Sequence, residues 1–179
     1  GRVLWSGEAY DLADAVQRAI HDETDLGGAE LAEVDLAGAN LEEAQLRGAN
    51  LQRARLRNAN LEEADLRDAD LTGAQMDGVN VEECDLSRAK LVDVTARGAN
   101  FEEALLEEAD LTRAKAEGCN FEECDLRGAK IGGANFRDSL LANADLDGAI
   151  DASNARFSGA QTDGAKGLDK FVPRAQVVA

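Results

Sequence analysis

The chain has 179 residues, one domain's worth, with 19 Lys plus Arg against 36 Asp plus Glu and a formal net charge of −17. That carboxylate excess argues against direct nucleic-acid binding, because the phosphate backbone would repel it. One His (His21), one Pro, three Cys and 4% aromatics leave little room for a histidine-based catalytic site, a disulfide framework or an aromatic core, and no run of 18 apolar residues is present to span a membrane.

Residues 1–23 stand apart from the rest. Val3, Leu4 and Trp5 make a short strand-like run. Across residues 11–22, Leu12, Ala15, Val16, Ala19 and Ile20 follow helical spacing. Asp11 is placed as an N-cap, with Asp14 three residues on in a capping-box-like position. His21 falls at the helix end, where a cation suits the dipole. We expect this segment to cover the open end of the element that follows. An uncovered solenoid end exposes side chains and strand edges and invites end-to-end association.

From Thr24 to Ala149 the sequence repeats every five residues. Stepping by five from Leu26 to Leu146 gives 25 positions, of which 17 are Leu. Phe101, Phe121, Phe136, Met76, Val81, Ile131, Ala96 and Ala116 fill the others. Two residues before each stands a small residue, usually Ala and never larger than Val. Five residues advance an α-helix by about 140° net, which would scatter the Leu around the axis. On a continuous strand an odd step alternates faces. Composition favours helix, but the period overrules it: the chain must turn a corner in every unit. The small residue and the Leu, two apart, then both point inward.

A second period sets the number of sides. Asn-apolar-Glu-Glu-small starts at Asn40, Asn60, Asn80, Asn100 and Asn120, four units apart. Residue i then lies above residue i+20. One inward column is all Leu, with Leu46, Leu66, Leu86, Leu106 and Leu126 at its centre. A second holds Leu41, Leu61, Val81, Phe101, Phe121 and Leu141. A third holds Leu36, Leu56, Met76, Ala96, Ala116 and Phe136. Ala96 and Ala116 share coils with Phe101 and Phe121, so large offsets small at near-constant volume.

The units Ala39-Asn40-Leu41, Ala59-Asn60-Leu61 and Ala69-Asp70-Leu71 closely resemble the pentapeptide-repeat family, and the match runs without a gap over residues 24–149 and weakly over 155–167. The expected fold is all-β: a parallel, quadrilateral β-helix of about six to seven coils with a short helical cap. Its right-handed winding is what the resemblance implies.

After Ala149 the register slips by one and resumes at Ala155, Ala160 and Ala165, with Phe157 inward. Residues 150–169 are expected to form an irregular last coil carrying a one-residue bulge within 150–154. The tail, residues 170–179, is apolar. Phe171, Val172, Val177 and Val178 are expected to cap the last coil or to form a homodimer contact.

No catalytic constellation emerges. Cys84, Cys119 and Cys124 occupy the small inward position; Cys84 and Cys124 are two coils apart, about 9–10 Å, too far for a disulfide. They read as structural thiols in a reducing compartment, and with no visible signal peptide the expected location is cytoplasmic. No cofactor and no metal is expected. The Asn column reads as a side-chain ladder.

The acidic columns are the sharp feature. Glu42/Glu43, Glu62/Glu63, Glu82/Glu83, Glu102/Glu103 and Glu122/Glu123 stack on one edge, and Glu107 and Glu108 extend the patch on the next side. Residues 24–149 carry 28 acidic and 13 basic residues, net −15. Over about 30 Å of coil that is roughly one charge per 2 Å, against one per about 1.7 Å for duplex DNA. Two readings follow. One is a non-enzymatic scaffold that binds a basic protein surface. The other is a DNA mimic that binds gyrase or another DNA-binding enzyme, which is what resemblance to the family's quinolone-resistance members implies. Two departures count against mimicry: no loop interrupts residues 24–149, whereas several of those members carry projecting loops, and Arg47, Arg53, Arg55, Arg57 and Arg67 make the early coils locally basic.

Overall fold

Each five-residue unit closes its own corner. The backbone N–H of Ala29 donates to the carbonyl of Leu26 at 2.9 Å, and Gly28 between them sits at φ 69°. This is the signature of a type II turn, whose third residue needs a positive φ. The bond recurs unit after unit, as from Ala49 to Leu46 and from Ala69 to Leu66, both at 3.0 Å. Gly fills that third place at many corners, but Glu43, Asn58, Asp68, Arg88 and Arg113 adopt the same left-handed conformation elsewhere. A computed structural model of the chain describes residues 6–171, with only the backbone of Ser153. The strand-like run Val3, Leu4 and Trp5 and the tail residues Val172, Val177 and Val178 lie outside them.

Four units make one turn. Parallel bridges join Asn40 to Asn60, Asn60 to Asn80, Asn80 to Asn100 and Asn100 to Asn120, and the other three sides pair in the same way, as in Glu30 to Asn50, Asp35 to Arg55 and Gln45 to Asp65. Each side is too short for more than one bridging residue. Every coil nevertheless bonds both neighbours: Asn60 N–H donates to Ala39 O at 3.0 Å, and Leu61 N–H to Asn80 O at 2.7 Å.

The axis is filled by the two inward positions of every side. Leu46, Leu66, Leu86, Leu106, Leu126, Phe101 and Phe121 are all essentially buried. Phe101 and Phe121 stack with ring centroids 4.7 Å apart. Phe121 meets Phe136 edge-on at 5.5 Å, and Phe136 stacks on Phe157 at 5.2 Å. The aromatic column thus changes sides just where Ala96 and Ala116 leave volume.

The helix α1 spans Leu12–His21. Asp11 caps it by accepting from the Asp14 N–H at 2.9 Å, while Asp14 reaches back to accept from the Tyr10 N–H at 2.9 Å. Its buried residues, Val16 and Ala19, join the core. At the other end the bridge spacing changes from 20 to 21 at Asn135–Arg156. The extra residue is taken up by the 3-10 turn Ala152–Asn154, entered through Asp151 at φ 58°, and not by the expected β-bulge. Placed at the corner, the added residue leaves the bridge of the following side, Asn135 to Arg156, intact. Leu168 is buried and Phe171 packs partly buried against the core.

Candidate protein-interaction surface

The ten stacked glutamates occupy one corner, five coils deep. The first residue of each pair, Glu42, Glu62, Glu82, Glu102 or Glu122, follows the inward apolar residue; the second, Glu43, Glu63, Glu83, Glu103 or Glu123, holds the left-handed place with φ between 53° and 56°. The corner backbone is tied coil to coil: Glu43 N–H donates to Glu62 O at 2.9 Å, and Glu63, Glu83 and Glu103 repeat the bond at 3.0 Å. The side chains therefore rise from a fixed frame.

The Asn column fixes part of them as well. Asn60 Nδ2 donates to Asn40 Oδ1 at 3.3 Å, Asn80 to Asn60 at 3.0 Å and Asn100 to Asn80 at 3.1 Å. The same amide groups also donate to the inner glutamates: Asn80 to Glu62 Oε2 at 3.1 Å, Asn100 to Glu82 at 3.0 Å and Asn120 to Glu102 at 2.9 Å. Glu62, Glu82, Glu102 and Glu122 are half-buried, whereas Glu43, Glu63, Glu83, Glu103 and Glu123 are exposed. Glu62, Glu82 and Glu102 are pinned, whereas Glu42 at the start of the inner column and all five outer glutamates are exposed to solvent.

Elsewhere opposite charges pair along the stack. Arg53 meets Glu33 at 3.1 Å, Arg55 meets Asp35 at 3.2 Å, Arg88 meets Asp68 at 2.8 Å and Arg113 meets Asp93 at 2.6 Å, each one coil apart. Lys90 with Asp70 and Lys130 with Asp110 continue the pattern. The arginines that make the early coils basic are all used in this way: Arg47 pairs with Asp68, Arg57 with Asp77, and Arg67 with Asp65 and Asp85. None sits on the glutamate corner, and among the described residues no ion pair reaches any of the ten glutamates. Glu107 and Glu108 lie on the next corner, where Glu107 pairs with Arg127 at 3.8 Å and Arg88 stands one coil below Glu108. The patch is therefore interrupted there by arginine.

The titration behaviour follows the pairing. Hydrogen bonds from Arg67, Arg88 and Arg113 hold Asp65, Asp68 and Asp93 below the usual carboxylate range. Partial burial pushes Asp70 up, but hydrogen bonds from Thr72, Gln52 and Lys90 outweigh it and bring it to about 2. Glu83 moves the other way: partial desolvation raises it first, and the neighbouring charges of Glu103, Glu63, Glu82 and Glu62 add to the rise. Ten carboxylates at about 4.8 Å per coil give one charge per about 2.4 Å along this corner alone.

The remaining chemistry is quiet. Cys84, Cys119 and Cys124 are free and buried, donating to Ala64 O, Ala96 O and Ala104 O. Burial pushes Cys119 up to about 12 and raises Cys84 and Cys124 well above the ordinary thiol value, which keeps the thiols unreactive. Among the described residues no cluster of His, Cys, Asp and Glu could hold a metal ion, and no helix is long and apolar enough to cross a membrane. The pinning of Glu62, Glu82 and Glu102 and the ion-pair ladders were not read from the sequence. The signal was present: opposite charges recur 20 residues apart at three of the four corners and on two of the sides, and not at the Glu-Glu corner.

The model for pentapeptide repeats matches the chain in eight copies over residues 22–53, 49–88, 89–128 and 119–165. No curated protein matches it in sequence. Among solved structures, a trypsin-treated variant of QnrB1, described as a plasmid-mediated fluoroquinolone resistance protein, aligns with a TM-score of 0.65 at 21% identity, covering 86% of this chain and 76% of that one. A pentapeptide repeat protein from the Arabidopsis thaliana thylakoid lumen aligns with a TM-score of 0.40 at 22% identity, covering 60% of this chain and 67% of that one. At these identities the first likeness speaks for the fold.

Proposed function

We infer the function from a premise that the residues have established: the chain belongs to the pentapeptide-repeat family. It acts as a non-enzymatic interaction scaffold, and its glutamate corner receives a basic protein surface. The observation that carries this reading is the contrast in pairing. Many charges on the rest of the coil are paired with an opposite charge, several of them one coil up or down, while ten carboxylates on one corner have no cationic partner among the described residues. Stability alone would not choose this arrangement. Stacked like charges repel, and the outer glutamates hold a backbone conformation that Gly adopts without steric cost. A basic partner would relieve the repulsion on binding and be steered in by the field. The right-handed winding, the count of six to seven coils and a cytoplasmic setting that suits the three thiols belong to the same proposal.

The second reading is a DNA mimic that occupies the basic groove of gyrase or another DNA-binding enzyme. It is supported by a rod-like stack whose carboxylate spacing of about 2.4 Å approaches the roughly 1.7 Å per charge of duplex DNA. The ion pairing of Arg47, Arg53, Arg55, Arg57 and Arg67 removes one objection to it. A gyrase supercoiling assay separates the readings. Inhibition by the native chain that is lost when Glu62, Glu82 and Glu102 become Lys is the outcome expected of a mimic. Absence of inhibition by either protein removes gyrase as the partner. Equal inhibition by both clears the glutamate corner of responsibility and contradicts both readings.

A further inference from the structure

The hydrogen-bond ladder that joins the coils has two ends, and they are complementary. In every interior coil the outward residue of each side donates its backbone N–H to the small residue one coil back. Asn50 donates to Ala29 at 2.9 Å, Arg55 to Val34 at 2.9 Å, Asn60 to Ala39 at 3.0 Å and Asp65 to Ala44 at 3.0 Å. The last coil ends the same ladder with Ile150 donating to Ala129, Arg156 to Ala134, Gln161 to Ser139 and Lys166 to Ala144. In the first coil the equivalent N–H groups, those of Glu30, Asp35, Asn40 and Gln45, have no backbone partner among the described residues. In the last coil the equivalent carbonyls, those of Ala149, Ala155, Ala160 and Ala165, likewise accept nothing there. Side for side, these are the two halves of one bond set.

Among the described residues, both ends are closed over the axis, not around the rim. At the first coil α1 buries Val16 and Ala19 in the core. At the last, Gly167 crosses tightly over the Leu146 backbone, Leu168 is buried and Phe171 packs behind it. We propose that the open rim fits a second copy of this chain, stacked head to tail, and that α1 and residues 168–171 withhold it by blocking the axial approach. The four first-coil N–H groups of one copy would bond the four alanine carbonyls of the next. A single extended peptide does not fit this edge, because the rim turns a corner after each side and presents one such donor per side. Another four-sided coil does, and the contact is heterologous, so it propagates as a fibre unless blocked. The net charge of −17 opposes the stacking, which strengthens with salt.

The test uses the full chain carrying Val16→Lys and Leu168→Lys, which place a charge under each plug. Analytical ultracentrifugation is expected to show a concentration-dependent series of whole-number multiples absent from the native chain, rising with salt, and electron microscopy unbranched rods. A second full-chain variant adds Glu30→Pro and Asn40→Pro. Proline removes two of the four donors at positions whose bridging backbone is extended, and the series should fall by about tenfold or more in association constant. The proposal is overturned by a plug variant that keeps its β dichroism and matches the native oligomeric state. It is also overturned if the proline variant associates as well as its parent, which would indicate apolar clumping, or if the plug variant loses its β spectrum, which would make the plugs folding elements. No basic partner enters these measurements, so their failure leaves the glutamate-corner reading standing.

Discussion

Asn80 joins two coils through one amide: it donates to Asn60 Oδ1 at 3.0 Å and to Glu62 Oε2 at 3.1 Å. The Asn ladder and the inner carboxylate column are therefore one structure, repeated at Asn100 with Asn80 and Glu82. The ladder holds carboxylates in register that would otherwise splay apart under mutual repulsion.

Replacing that amide should loosen both columns. Asn80→Ala removes a part-buried donor of two bonds and leaves Asn60 Oδ1 without its ladder partner. A loss of about 1–3 kcal/mol in urea unfolding at pH 7 is expected. An unchanged midpoint would show that the ladder contributes nothing to folding.

The outer column should be destabilising at neutral pH. Desolvation and the neighbouring glutamates hold Glu83 above the ordinary glutamate value of 4.5 in the folded chain. A raised acid favours folding when protonated, so its penalty is present above the raised value and disappears as pH falls below 4.5. Glu83→Gln should therefore raise the urea midpoint at pH 7 and make little difference at pH below 4. Glu83→Gly should do no worse at pH 7, because Gly also relieves the left-handed backbone at φ 53°. A lower midpoint for both variants at pH 7 would mean that Glu83 has a stabilising contact.

The paired aspartates should give the opposite acid response. Asp70 is held at about 2, below the ordinary aspartate value of 3.8. The stability it contributes is fully present above 3.8 and is lost as pH falls towards 2. Asp70→Asn should lower the urea midpoint at pH 7 and reduce the steepness of acid unfolding between those values. Identical acid unfolding curves would contradict the hydrogen-bonded arrangement of Thr72, Gln52 and Lys90 around it.

The aromatic column should be the least forgiving part of the core. Phe121 is fully buried between Phe101 and Phe136. Phe121→Ala should cost about 3–5 kcal/mol, since neighbouring sides are held by coil-to-coil bonds and cannot collapse into the gap. A cost below about 1 kcal/mol would indicate a core that repacks freely.

Much of the fold was legible because the periods are arithmetic. A step of five forced a corner in every unit, and a step of twenty for the Asn-Glu-Glu string aligned Asn40 with Asn60 and Leu46 with Leu66. The compensation of Ala96 and Ala116 by Phe101 and Phe121 was readable for the same reason. The left-handed corners were less so, because Glu43 and Arg88 stand where Gly28 and Gly48 would advertise a turn. The uptake of the extra residue near Asp151 by a 3-10 turn was also hidden, since a slip of one in register does not say whether a side or a corner absorbs it. For the candidate surface, the sequence placed the ten glutamates on one edge but summed charge over the whole coil. The pairings of Arg53 with Glu33 and Arg113 with Asp93 concentrate the uncompensated charge on that edge, and they depend on side-chain reach across coils.

The most direct measurement compares two charge-matched variants for binding to a short poly-lysine peptide by fluorescence anisotropy. One carries Glu62→Gln, Glu82→Gln and Glu102→Gln on the unpaired corner; the other carries Glu33→Gln, Asp35→Asn and Asp93→Asn, which are ion-paired elsewhere. Each raises the net charge equally. The corner variant should lose about tenfold in affinity, with a shallower salt dependence, while the control loses only a few-fold. Equal losses would mean that the peptide senses net charge alone, and the glutamate corner would then have no claim to be the interaction surface.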